Sequence, residues 1–275
     1  MKNIVGFLRS HFKKIQIADL SPIAHAMTYK LLLALFPFLM FLMTVAGFLD
    51  LDIHELLDLI DGIVPAEVVG IVESFGNQVI GVQMAGLLYV SLTIAIFSST
   101  SAIRTLVAGI NKAHGDADSR HPILVWVVSF LLVIIFAAAI VLTMAGLIFR
   151  DHIEYFLTQA NILVPALTWV YNLLIVLINI GFVMVTVLIT NYVSLYKKIP
   201  IKKILPGSIF TVIVWIAASY GFSFFVSNFS RMATVYGSVA AVMVLMIWLN
   251  IICHVMLFGG AVNAYLMKQK ELKET

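Results

Sequence analysis

Cysteine is almost missing from this chain: Cys253 is the only one, and it lies inside an apolar run. No intrachain disulfide can form, so cysteine usage does not report the redox compartment. A lone thiol in such a run reads as a small packing residue, not as a metal ligand or nucleophile. Charge is scarce as well. Charged residues make up 11% of the chain and hydrophobic ones 62%, against about 25% and 45–50% in a soluble domain. Water cannot solvate such a surface, which excludes a soluble globular protein and leaves an integral membrane protein. No GxxxxGK[ST] loop is present, and no GxGxxG follows a strand, so an ATP-driven pump would need a partner subunit. The polar pieces at 1–26, 104–121, 196–204 and 268–275 are too short to build a catalytic domain with its own core. No cofactor is expected.

What is present is long apolar runs. They are apolar on all sides, so they read as helices and not as alternating barrel strands. Roughly 20 residues at about 1.5 Å rise cross a ~30 Å hydrocarbon core. Six runs qualify, at about 27–49, 79–103, 123–149, 166–195, 207–226 and 237–267. The expected fold class is all-α: a polytopic membrane bundle of six transmembrane helices. An N-terminal amphipathic helix (1–26) precedes it, a helical hairpin (50–78) follows the first span, and a charged tail (268–275) ends it. Lys2, Arg9, Lys13 and Lys14 are interleaved with apolar residues in the first segment. That pattern suits a helix on an anionic leaflet, or one packed on the bundle, and not a cleavable signal. Asp19-Leu20-Ser21-Pro22 is expected to break that helix, and Pro37 to kink the first span. Pro122, Pro165 and Pro206 stand where helices are expected to start. The third run has almost no polar side chain and is the expected lipid-facing helix.

Charge distribution orients the bundle. Six spans put both termini on one side. That side collects 15 Lys and Arg, and the other only Arg150 and Arg231. The positive-inside rule then makes both termini cytoplasmic, in a plasma membrane, and the hairpin extracytoplasmic. The hairpin segment carries seven acids and no Lys or Arg.

A few polar side chains stand inside the runs. Asn250 and His254, four apart, fall on one face near the middle of the last span, and Asn179 stands at the middle of the fourth. Asn172, Asn179, Thr186 and Thr190 share a face of that fourth span. Groups at one depth suggest either a substrate path or interhelical hydrogen bonds that hold the bundle. His254 is in principle able to relay protons. Arg231 precedes Tyr236-Gly237-Ser238, where it suits either an outward anion site or a loop ion pair with the acidic hairpin. Lys30 and Arg104, expected near the inner interface, either snorkel to headgroups or contact an anionic lipid or substrate. Gly259 and Gly260 permit close helix approach. The cluster His114, Asp116, Asp118, Arg120 and His121 reads as a solvated connector and not as a metal site.

Several of these residues carry a resemblance. Met27-Thr28-Tyr29 with Leu33-Ala34-Leu35-Phe36-Pro37 resembles the first-helix motif of the YihY/BrkB family of bacterial inner-membrane proteins. Ile204-Leu205-Pro206-Gly207-Ser208, Trp215, Tyr236-Gly237-Ser238, Trp248 and Gly260-Ala261-Val262-Asn263-Ala264 resemble its C-terminal signature, in order across the chain. The family usually has an acid where this chain has Val262. The resemblance implies six inner-membrane helices and links to envelope integrity, serum resistance and export of lipid or other envelope components. The family once carried the label ribonuclease BN. Phosphodiester cleavage needs positioned acids, bases or metal carboxylates on a basic RNA platform. The acids on the termini side are only Asp19, Asp116, Asp118, Glu271 and Glu274, and the basic residues are scattered. The expectation is therefore a non-enzymatic membrane protein that binds membrane lipids and no nucleic acid. It would act as a transporter or flippase-like facilitator of a lipid or anionic envelope component. The alternative is a scaffolding protein of the envelope.

Overall fold

The computed structural model describes residues 17–48, 73, 85–115, 118–148, 154, 156, 158–159, 168–228 and 238–274. Within them lie six long helices: α1 (Ile17–Phe48), α2 (Ala85–Ala113), α3 (Pro122–Ile148), α4 (Thr168–Ser194), α5 (Ile201–Asn228) and α6 (Ser238–Glu274). Each contains a stretch long and apolar enough to cross a membrane. No strand occurs among the described residues. This follows from the medium: in hydrocarbon every backbone N–H and C=O must be paired within its own segment, and a helix does that. The segment 1–16 and all of the acidic hairpin 50–78 but Glu73 lie outside the described residues.

Four helices run further than their apolar cores. α1 begins at Ile17 and passes unbroken through Pro22 and Pro37. Pro22 withholds an N–H only from the Ala18 carbonyl, in the first turn of the described helix. Residues 17–26 therefore belong to the first membrane helix and not to a separate one. α2 continues past Arg104 to Ala113 because its buried stripe continues: Ala102, Ile103, Leu106, Val107 and Ile110 are all buried, while Arg104 sits on the exposed side. Gly115, with φ of 76°, ends it. Only glycine takes that left-handed conformation without strain, and its N–H bonds the Lys112 carbonyl at 3.0 Å. α5 starts at Ile201 directly after Pro200, so Pro206 lies inside it and not at its start. The carbonyl Pro206 leaves unpaired is that of the exposed Lys202 in the first turn. α6 absorbs the charged tail and runs to Glu274.

α6 is the central helix. Of its apolar stretch 39% is buried by the rest of the chain, against 11% for α3, which faces outward as expected. The core gathers Met27 of α1, Leu106 and Ile110 of α2, Leu132 of α3, Val187 of α4, Ile204 of α5 and Leu257 of α6. α5 and α6 cross at backbone distance. A Cβ on Gly207 would strike the Gly259 carbonyl and Asn263, and a Cβ on Gly259 would strike Thr211. Gly207 N–H donates to Asn263 Oδ1 at 2.6 Å across this crossing. Small residues let helices in lipid approach closely, where dispersion and interhelical hydrogen bonds replace the missing hydrophobic drive.

Candidate functional site

Lys30 stands midway in the apolar stretch Asp19–Phe41 of α1. Its Nζ donates to Thr105 Oγ1 at 2.7 Å and to the Ser101 carbonyl at 3.4 Å, both on α2. Arg104 lies between those two partners in sequence and is the neighbouring charge that Lys30 feels. Lys30 and Arg104 both fall within the apolar stretches of their helices, Asp19–Phe41 and Gly86–Ala113. Arg104 has no hydrogen-bond or ion-pair partner among the described residues, and no carboxylate there faces either cation. Two like charges have been brought together within apolar stretches without a described counter-ion. A cation at a helix centre costs about 2.5–3.5 kcal/mol by insertion scales, and such residues mark ligand or ion paths by default.

Asn250 and His254 do share a face of α6, but their partners are on α1. Asn250 Nδ2 donates to Thr28 Oγ1 at 3.2 Å and meets His25 Nδ1 at 2.8 Å. His254 Nδ1 meets the Asn250 carbonyl at 2.8 Å, and the His25 and His254 rings stand edge to face with centroids 5.2 Å apart. A carbonyl only accepts, so in this contact Nδ1 of His254 is the donor. Cys253, wholly buried, lies against Thr28 in the same seam. His25 and Thr28 gave no periodic signal in sequence, since one polar pair three apart near a helix start has many structural uses.

Asn179 does not join that group. Its Oδ1, on α4, is buried without a hydrogen-bond partner among the described residues, and the neighbours of α4 are chiefly α5 and α3. Thr186 and Thr190 bond their own helix, at Phe182 O and Thr186 O. Asn172 is half-buried on the same helix. Arg231 lies outside the described residues.

The short connection after α2 is built, not merely solvated. Asn111, 1% exposed, donates to the Ser194 carbonyl at 2.7 Å and accepts the Tyr196 N–H at 2.8 Å. Arg120 donates to the Ser194 carbonyl at 2.7 Å and pairs with Asp118, its Nε 2.8 Å from Oδ1. Hydrogen bonds from the Arg120 guanidinium hold the Asp118 carboxyl below its usual range. These groups satisfy the orphan carbonyls at the C-terminus of α4 and oppose the negative end of its dipole. Asn191, also buried, bonds Ser208 Oγ of α5 at 3.3 Å. Among the described residues no three His, Cys, Asp or Glu side chains are grouped to hold a metal.

Comparison with known proteins decides the family. The model of the family described as "Virulence factor BrkB" matches residues 11–275. The chain belongs to that family. It is 29% identical over 277 residues to the ribonuclease-like protein YfkH of Bacillus subtilis (strain 168), covering 98% of both chains. It is 27% identical over 85 residues to the UPF0761 membrane protein PSHAa0171 of Pseudoalteromonas translucida (strain TAC 125), covering 31% of this chain and 27% of that one. No solved structure matches. Family membership agrees with the first-helix and C-terminal motifs, and the six apolar helices make this BrkB-family chain a multi-pass membrane protein.

Proposed function

We propose that this BrkB-family protein moves, or helps move, an anionic amphiphile of the envelope across a bacterial plasma membrane, with both termini in the cytoplasm. The observation that carries the reading is the Lys30–Arg104 pair between α1 and α2. Both cations lie within apolar stretches, they are neighbours, and no described carboxylate neutralises them. An anion passing along the α1–α2 face would relieve their mutual repulsion, so its binding there gains what the empty pair lacks. The exposed Tyr29, 63% accessible, and Phe36, two turns further along the same face of α1, supply an apolar surface for the rest of an amphiphile. The polar seam of His25, Thr28, Asn250 and His254 lies on the neighbouring face of α1, where it ties α1 to α6.

The competing reading is a scaffolding protein of the envelope, whose role would not depend on these charges. RNA hydrolysis, suggested by the name of the Bacillus relative, finds less support: among the described residues Asp118 is committed to Arg120, and Asp19 lies in the first turn of α1. The test is reconstitution in liposomes with a fluorescent phosphatidylglycerol. The native chain should equilibrate the label between leaflets, and Arg104→Gln and Lys30→Gln should slow this about tenfold each. Arg104 is exposed and makes no described hydrogen bond or ion pair, so Arg104→Gln should keep the fold. Equal rates for native protein, both variants and empty liposomes would return the protein to the scaffolding class.

A further inference from the structure

The α4–α5 connection forms a groove unrelated to the Lys30–Arg104 pair. A cavity of ≈ 520 Å³ is lined by Tyr192, Lys198, Ile199, Pro200, Ile201 and Lys202. Its two parts differ in chemistry. Lys198 and Lys202 are exposed and have no ion-pair or hydrogen-bond partner among the described residues. Pro200 and the half-exposed Ile201 form an apolar wall, and Tyr192 closes the side belonging to α4. The position is equally specific. The apolar stretch of α4 ends at Ser194 and that of α5 begins at Ile201, so the groove lies where hydrocarbon gives way to headgroups. Tyr192 and Tyr196, 40% and 42% exposed, stand at the level where amphipathic rings favour the membrane–water boundary.

We infer that this groove holds the phosphate headgroup of an anionic phospholipid from the adjacent leaflet. The phosphodiester sits between the two ammonium groups, each a compact charge with three donors. The glycerol and first methylenes lie on Ile199, Pro200 and Ile201. A free phosphate would use the lysines and leave the apolar wall to water, so the mixed lining selects the lipid. The groove's ends also leave room for acyl chains to continue into the bilayer beside α4 and α5, whose outer faces are apolar and exposed at Val185, Ile209 and Ile213. A lysine near an anionic leaflet contributes about 1 kcal/mol, so two give roughly a tenfold or greater preference for an anionic over a zwitterionic lipid. The inference is independent of transport, since a scaffolding protein would bind the lipid equally.

The experiment is native mass spectrometry of the full chain released from nanodiscs of mixed phosphatidylglycerol and phosphatidylcholine. The native protein should retain phosphatidylglycerol preferentially. Lys198→Gln with Lys202→Gln should cut that preference about tenfold, Lys198→Arg with Lys202→Arg should keep it, and Lys112→Gln with Lys268→Gln should leave it unchanged. Each single Lys→Gln chain is measured as well, so a misfolded double variant does not decide the result. An undiminished preference in the Gln variants overturns the site. Displacement of the lipid by millimolar inorganic phosphate alone overturns the assignment to a lipid.

Discussion

Asn111 shows how much one polar residue can hold in a helical membrane protein. Its amide joins the end of α2 to the end of α4, donating to the Ser194 carbonyl and accepting the Tyr196 N–H. Asn111→Leu takes the partner from the Tyr196 N–H, while the Ser194 carbonyl keeps its bond from Arg120, and a backbone group left unpaired costs about 1–3 kcal/mol. The expected outcome is a loss of about 1–3 kcal/mol, read as a lower midpoint in detergent thermal unfolding; an unchanged midpoint would remove the clamp. Asp118 gives a pH signature at the same place. Its carboxyl is held low by Arg120, so its contribution is present above the unfolded carboxylate value near 3.9 and is lost as pH falls through the folded value. Native protein should therefore be more stable than Asp118→Asn from neutral pH down to about pH 4, and the gap should close below that. A gap that widened in acid would contradict the pairing. In sequence this cluster read as a connector, because nothing local to 111–121 reveals that the end of α4 lies beside it.

At the scale of helices, contact distance decides which glycines matter. Gly207 and Gly259 stand where α5 and α6 touch at the backbone, and a methyl at either position meets main chain or a buried side chain. Gly181 and Gly221 have open space around the same methyl. Gly259→Ala and Gly207→Ala should each cost roughly 1–3 kcal/mol through overpacking. Gly181→Ala and Gly221→Ala should be neutral or stabilising, since alanine is the better helix former by about 1 kcal/mol. Thermal midpoints of the four variants give the check, and uniform effects across them would refute the close crossing. Packing was the reading for Gly259 from sequence, but its partner Gly207 was hidden because the Pro206 before it looked like a helix start. Helix ends were misread for two reasons. Charges at Arg104 and Lys268 ended the apolar runs while the helices continued with those side chains exposed, and Pro22 and Pro206 looked like a break and a start but lie inside α1 and α5.

For the whole molecule, the contacts place both ends of the described chain on one side. Lys112 Nζ reaches the Asp19 carbonyl at 3.4 Å, so the start of α1 meets the end of α2. Asn111 places the end of α4 there, and Gly207 with Asn263 sets the start of α5 beside late α6. Combined with the charge bias, this side should be the cytoplasm. A fluorescent reporter fused after Thr275 should be active inside the cell and a periplasmic enzyme fused there inactive; the reverse pattern would invert the bundle.

Class, helix number and family were legible in the chain itself, because hydrocarbon accepts only long apolar helices and because the motif residues stand in order. The grouping of polar residues was not. Helical periodicity tells which residues of one helix share a face, as with Asn250 and His254, but it says nothing about which helix that face meets. α6 turned Asn250 toward His25 and Thr28 of α1, and Asn179 stayed apart on α4. Lys30 and Arg104 became neighbours only because α1 and α2 pack side by side. Composition and order set the length and medium of each helix; the pairing of faces was decided by packing between segments far apart in the chain.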